Sequence, residues 1–118
     1  MTSENVDPLT EISSPFAFEA TLDRVVKAIE AAHLTIFARI DHAENARQAG
    51  LTMPPATVLI YGAAKGGTPV MLAAPRSALD LPLRVLVRET ETGVVETPLQ
   101  KSVSPATEVI IGMVAEAL

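Results

Sequence analysis

The run TVLIYG at residues 57–62 constrains the fold more than any other stretch of the chain. It is almost continuously apolar, and a short run of this kind is typical of a central, buried strand. Segments 9–13, 34–41 and 81–89 alternate apolar and polar residues, which is the period of a strand with one covered face. A further strand at 94–99 follows the turn sequence TETG. Together these runs predict a sheet of four to five strands.

Two amphipathic helices accompany the strands. Apolar residues recur at helical spacing between Leu22 and Ile29, and Thr21 before them is a candidate N-cap. A second helix follows Pro105 with an apolar stripe, and a short helical turn is expected at 42–50. The order β-α-β-β-β-β-α predicts an α+β fold, in which a mainly antiparallel sheet carries two main helices on one face.

Length and composition favour a single domain. The chain has 118 residues, of which 48% are apolar, so it can form one core without disulfides or metal. We therefore expect one domain over residues 1–118, with a frayed start over residues 1–8. The chain has no cysteine, which excludes thiolate metal sites and thiol nucleophiles.

Charge and hydropathy argue against several kinds of partner. The net charge is −5 and the basic residues are scattered, so we expect no nucleic-acid binding. No apolar segment is long enough to cross a membrane, and the N-terminus lacks the pattern of a signal peptide. We therefore expect a cytoplasmic protein without a membrane partner. No motif specifies a cofactor.

The segment GAAKGGTP at 62–69 has the composition of a phosphate-binding loop but not its order. In a Walker A motif the lysine directly precedes the hydroxyl residue, whereas here two glycines separate Lys65 from Thr68. Two interpretations remain open. In the first, Lys65, Thr68 and the amides of Gly66 and Gly67 contact an anionic ligand. In the second, the glycines form a strand-to-helix turn through positive φ angles, and Thr68 caps the helix that follows.

Asp41, His42 and Asp80 are the candidate acid–base residues. Asp41 could orient His42 as a general base or a metal ligand, or it could cap a helix that begins at His42. Asp80 is either a functional carboxylate or a turn residue that bonds to its own backbone amides. With two histidines and no cysteine, the chain lacks a strong metal-site pattern, and we expect no metal.

Phe37 occupies an unexpected place in the second strand. Strict alternation puts it on the face opposite Ile36 and Ile40, beside Leu59 or Tyr61 of the next strand. Polar residues are expected on that face if helices cover only the other one. An apolar second face indicates either a ligand cavity or a subunit interface.

The chain resembles the bacterial and archaeal domain-of-unknown-function 302 family in three segments, FARIDHAENARQAGLTMPPATVLIYG, KGGTPVMLAAP and ALDLPLRVLV, within residues 16–99. The matching positions are Asp41, His42, Ala46, Gly50, Pro54, Pro55, Gly62, Gly67, Thr68, Pro69, Pro75, Asp80, Leu81 and Pro82. Where the family has Gly-Asn-Pro, this chain has Gly62-Ala63-Ala64, so a role for that asparagine does not carry over. The resemblance implies a TATA-binding-protein-like fold, a curved antiparallel sheet with helices packed on it, often as a homodimer. It implies no activity.

These observations favour a small homodimeric domain that binds a small ligand, anionic in the first interpretation of 62–69, or a partner, without catalysis. The expected ligand-binding residues converge near the glycine segment; they are Asp41, His42, Lys65, Gly66, Gly67, Thr68 and Asp80. One alternative is an enzyme in which His42 acts as acid or base, oriented by Asp41 or Asp80. The other is a purely structural dimerisation or interaction module.

Overall fold

A computed structural model describes residues 9–100 and 105–118. The elements in chain order are β1 (Leu9–Ser14), α1 (Phe18–Ala31), β2 (Thr35–Asp41), α2 (His42–Gln48), β3 (Ala56–Gly62), α3 (Ala64–Ala73), a 3-10 helix (Pro75–Leu79), β4 (Leu83–Glu89), β5 (Val95–Gln100) and α4 (Pro105–Ala117). The predicted order of main elements and the α+β class are confirmed. The predicted frayed start at 1–8 lies outside the described residues.

The five strands form one open antiparallel sheet in the order β1-β5-β4-β3-β2. The run TVLIYG lies in β3, between β2 and β4, so the prediction of an interior strand is confirmed. Opposite residues in an antiparallel pair share a face. The register therefore sets Leu59 beside Val85 and Val85 beside Leu99 on one face of the sheet.

Helices α1 and α4 cover that face and form the core with it. Val25 and Ile29 of α1 and Val114 of α4 are fully buried in one cluster with Leu59, Tyr61, Val85, Val87, Val95 and Leu99 of the sheet. At about 25 cal/mol per Å² of apolar surface, burying a side chain of this size contributes about 1.5–3 kcal/mol. The two main helices thus lie on one face, as the sequence pattern predicts.

The start of α1 differs from the prediction, because the helix begins at Phe18 and Thr21 lies inside it, fully buried. The Thr21 hydroxyl donates its single proton to the Phe16 carbonyl (3.2 Å). The Ser14 hydroxyl is therefore the donor in its hydrogen bond with Thr21 Oγ1 (2.6 Å). The Phe16 amide in turn donates to Ser14 Oγ (3.1 Å). This closed ring of hydrogen bonds satisfies a buried hydroxyl and fixes the connection between β1 and α1. Thr21 is therefore a linker of two elements and not an N-cap.

A bulge in β2 overturns the predicted alternation. Ile36 pairs with Tyr61, but Ala38 pairs with Ile60, so β2 has one extra residue at Phe37. An extra residue moves everything beyond it to the other face. Ile36 accordingly shares the helix-covered face with Tyr61, whereas Ala38 lies with Ile60 on the open face. The expectation that Phe37 lies opposite Ile36 and Ile40, beside Leu59 or Tyr61, is wrong for this reason.

The glycine segment is helical. Helix α3 begins at Ala64, directly after an extended Ala63, so Thr68 lies inside the helix and does not cap it. Positive φ angles occur at Gly50 (81°) and Gly93 (87°) among the described glycines, and not at Gly66 or Gly67. The interpretation of 62–69 as a turn that needs positive φ is therefore wrong at Gly66 and Gly67.

Tyr61 gives a measurable test of the core. Burial raises the pKa of the Tyr61 phenol to about 12, from 10.0, because the apolar surroundings disfavour the phenolate. Between these pH values the unfolded chain loses the proton and the folded chain keeps it. The contribution is therefore fully present below pH 10.0 and is lost as pH rises towards about 12. At 1.36 kcal/mol per pH unit, the free energy of unfolding falls by roughly 3 kcal/mol.

The measurement is denaturant unfolding between neutral pH and the alkaline range, with Tyr61→Phe as the control for every other titrating group. Tyr61 is the only tyrosine and there is no tryptophan, so the absorbance of tyrosinate reports its ionisation directly. A phenol that titrates at its ordinary pKa in the folded chain would contradict the predicted burial effect.

Candidate functional site

A cavity of about 300 Å³ lies at the end of the sheet where β2 begins, β3 ends and β4 begins. Helix α3 and the segment before β4 form its other walls. Its lining is almost entirely apolar. The lining residues are Leu34, Phe37, Gly62, Ala63, Ala64, Gly66, Gly67, Thr68, Val70, Met71, Leu81, Pro82 and Leu83.

The β2 bulge is what brings Phe37 to this cavity. The ring lies over Gly62, since a Cβ atom at residue 62 would be 3.6 Å from Phe37 Cε2 and 3.8 Å from Pro82 Cβ. Phe37 is 54% exposed, so it forms part of the cavity mouth. An aromatic ring held half in solvent is unusual for a core residue and typical of a binding surface.

Three of the predicted site residues line the cavity, namely Gly66, Gly67 and Thr68. Lys65 and Asp80 are exposed next to lining residues in the chain but do not line it themselves. The Asp80 carboxylate makes no hydrogen bond to any residue that the structure describes, so its predicted bond to turn amides is not observed. Its backbone amide donates to the Ser77 carbonyl (2.9 Å) and closes the 3-10 helix.

The amides of Gly66 and Gly67 are already engaged. Both donate to the Ala63 carbonyl, at 3.0 and 2.9 Å, and so close the first turn of α3. Backbone amides bind an anion only when they have no other acceptor. The interpretation in which these two amides cradle an anionic group is therefore wrong.

Asp41 and His42 lie at the opposite end of the sheet. Asp41 pairs with Thr57 at the start of β3, whereas Gly62 at its other end pairs with Thr35. The five residue steps between Thr57 and Gly62 correspond to about 17 Å along the strand. The predicted convergence of Asp41 and His42 with the glycine segment is therefore wrong, and Asp80 cannot orient His42.

Asp41 performs the structural role that the sequence allowed. Its Oδ1 accepts a hydrogen bond from the Glu44 amide (2.9 Å), which caps α2. The neighbouring His42 is exposed. Gly50 ends this segment with a positive φ of 81°, as expected for a glycine after a helix. In the described part of the chain, no three His, Asp or Glu side chains group as metal ligands would.

Sequence reasoning missed most of the apolar lining, in particular Leu34, Met71, Leu81 and Pro82. Apolar residues at strand ends and on a short helix look like core residues in a sequence. Phe37 was the one available signal, because its aromatic side chain interrupts the expected polar face.

The chain belongs to the family described as Domain of unknown function DUF302, which it matches over residues 10–104. A crystal structure of an uncharacterized conserved DUF302 protein from Bacillus stearothermophilus has the same fold. The TM-score is 0.77 at 14% identity, covering 96% of this chain and 97% of the other. The family resemblance inferred from the sequence is thus confirmed.

The chain is also similar to longer proteins. It is 33% identical over 85 residues to the fluoride-specific ion channel FluC 1 of Brucella suis biovar 1, which covers 72% of this chain and 34% of the relative. The same identity and length relate it to FluC 2 of Brucella melitensis, of which 32% is covered. The chain therefore spans about a third of the length of these relatives. None of its described helices is both long and apolar enough to cross a membrane.

The capping role of Asp41 generates a mutational prediction. Asp41→Ala removes the acceptor for the Glu44 amide and should lower the free energy of unfolding by about 1 kcal/mol, whereas Asp41→Asn should restore most of it. His42→Ala is the matched control at the next residue and should change stability by less than about 0.5 kcal/mol. Urea unfolding of the three variants measures these differences. A larger loss for His42→Ala than for Asp41→Ala would contradict a purely capping role for this pair.

Proposed function

We propose that the chain is a small homodimeric domain that binds a small molecule in the end cavity and has no catalytic activity of its own. The observation that carries the proposal is the cavity of about 300 Å³ bounded by β2, β3, α3 and the start of β4. Small-molecule sites are concave, mostly apolar and largely preformed. Its volume lies at the lower end of their usual range.

The positions of the polar candidates support binding in preference to catalysis. The carboxylate of Asp41 is engaged at the start of α2, and His42 is exposed at the end of the sheet remote from the cavity. An acid–base mechanism needs its proton-transferring group within hydrogen-bond reach of the bound molecule. Among the described residues, no charged side chain lines the cavity, so none meets this requirement.

The longer relatives support an accessory role. In the Brucella proteins the matched segment makes up about a third of a protein named a fluoride-specific ion channel. A segment of this kind within a longer protein is compatible with an accessory role, and the cavity itself carries the argument for binding.

The cavity assignment predicts a loss of binding when the cavity is filled. Leucine at Gly67 would extend from a position 3.8 Å from Leu81 Cδ1 and 4.0 Å from Met71 Cε into the cavity. Fragments that stabilise the wild type in a thermal-shift screen should therefore no longer stabilise Gly67→Leu. A ligand at 100 times its Kd raises the free energy of unfolding by about 2.7 kcal/mol, which is readily measured.

The matched control is Gly112→Leu, because Gly112 is also a helical glycine and a Cβ there meets no atom within 4 Å. This variant should respond to the fragments as the wild type does. Gly67→Ala, which adds a methyl group in ordinary contact distance, serves if Gly67→Leu does not fold. Equal stabilisation of the cavity variants and the control would place binding elsewhere and refute the assignment.

The open face of the sheet is the surface we propose for the homodimer. Ala38, Ile40, Val58, Ile60 and Leu86 form a continuous apolar area there, according to the strand register. Charges of both signs border it, including Glu11, Arg84 and the ion pair between Arg88 and Glu96 (2.7 Å). A second copy related by a two-fold axis presents the same apolar area and can set unlike charges against each other.

Ile60→Glu tests this interface. Ile60 is only half-buried in the single protomer, so the fold should tolerate a carboxylate there. Two such charges buried between copies should abolish the dimer. Sedimentation velocity should give a dimer for the wild type and a monomer for Ile60→Glu. Leu51→Glu, at a residue 66% exposed outside the sheet, is the control and should remain dimeric. A monomeric wild type, or a dimeric Ile60→Glu, would contradict the proposal.

A further inference from the structure

The cavity wall formed by α3 contains two adjacent glycines, Gly66 and Gly67, whose conformational freedom is not used. Neither residue has a positive φ, and both lie in ordinary helical hydrogen bonding. A glycine inside a helix costs about 1 kcal/mol relative to alanine. The backbone conformation does not require Gly67, and its missing side chain leaves space beside Leu81 and Met71 of the cavity lining.

Gly62 at the end of β3 also lacks a side chain that would touch the cavity lining. A Cβ atom at residue 62 would lie 3.6 Å from Phe37 Cε2 and 3.8 Å from Pro82 Cβ. The half-exposed ring of Phe37 at the cavity mouth can therefore stack on an aromatic ring of a ligand, and the apolar lining adds dispersion contacts.

The chemistry of the lining excludes charge. Among the described lining residues none is charged, and Thr68 is the single one with a hydroxyl group. The charged residues next to lining residues in the chain, Lys65, Asp80 and Arg84, are exposed and outside the lining. The amides of Gly66 and Gly67 donate to the Ala63 carbonyl. A carboxylate or phosphate placed against this apolar lining would lose most of its hydration, which is costly.

From this geometry we infer that the cavity takes an uncharged, largely apolar ligand with a planar ring and at most one hydrogen-bonding group, placed near Thr68. The inference rests on the proposed binding function. A dry cavity of about 150 Å³ in another protein holds one benzene ring, so a volume of about 300 Å³ accommodates a ligand of one or two rings. The ligand class is therefore neutral and not the anion that the sequence alone left open.

Glycine-selective ¹⁵N labelling of the full chain provides the test. The chain has six glycines, and Gly62, Gly66 and Gly67 line the cavity. The other three, Gly50, Gly93 and Gly112, do not line it and serve as internal controls. Their amide signals are followed during titration with benzyl alcohol, with benzoate and with inorganic phosphate. Benzyl alcohol and benzoate share one ring and differ mainly in charge.

Benzyl alcohol should shift the three cavity signals and leave the other three unchanged, and its Kd should be at least about tenfold lower than that of benzoate. Thr68→Val should weaken benzyl alcohol but leave toluene, which has no hydroxyl group, unaffected. Benzoate or phosphate binding as tightly as benzyl alcohol at the same three signals would overturn the neutral ligand class and leave binding at the cavity intact. If none of these compounds shifts the cavity glycines, the proposed binding function fails, and the ligand class fails with it.

Discussion

Packing of α1 and α4 against the same face of the antiparallel sheet is the interaction on which the other features depend. Val25, Ile29 and Val114 reach zero exposure only because β3, β4 and β5 present a continuous apolar surface to them. Two helices suffice for one face of a five-stranded sheet, and the described residues supply no third layer for the other. This arrangement leaves the second face of the sheet open and apolar. At one end of the sheet, α3 forms a wall of the cavity.

The bulge at Phe37 allows the edge strand β2 to contribute both to the helix-covered face and to the open face of the sheet. Without the extra residue, the alternation that puts Ile36 on the helix-covered face would put Ala38 and Ile40 on that face as well. With it, the first part of β2 serves the core and the second part serves the open face. Phe37 is the residue that the register between β2 and β3 skips, and it lies at the cavity mouth. Bulges commonly re-aim a side chain in this way at edges and sites.

The sequence predicted what is encoded locally. Strand and helix periods and the glycine turns at Gly50 and Gly93 depend on neighbours within a few residues, so the pattern alone identifies them. The cap at Asp41 is equally local, and it was one of the two roles that the sequence left open. The bulge depends on the register against β3, and the burial of Thr21 depends on Ser14, seven residues earlier. Neither can be seen in one chain segment. The predicted site residues are divided between two ends of the sheet for a related reason, because polar residues draw attention in a sequence whereas this cavity is lined by apolar residues and glycines.

Helix α3 has few buried contacts, because its sequence is rich in small residues and glycine. It contains no buried residue, it has two adjacent glycines, and Pro69 in its interior cannot donate to the Lys65 carbonyl. Leu72 on its surface is 78% exposed, so the helix gains little from burial against the sheet. Segments with few buried contacts open at lower free energy than the core. By this argument the α3 wall opens at lower free energy than the core of α1, α4 and the sheet, and the ligand proposed above would enter the cavity past it. In that proposal a bound ring would supply apolar contacts that the glycines of α3 do not make.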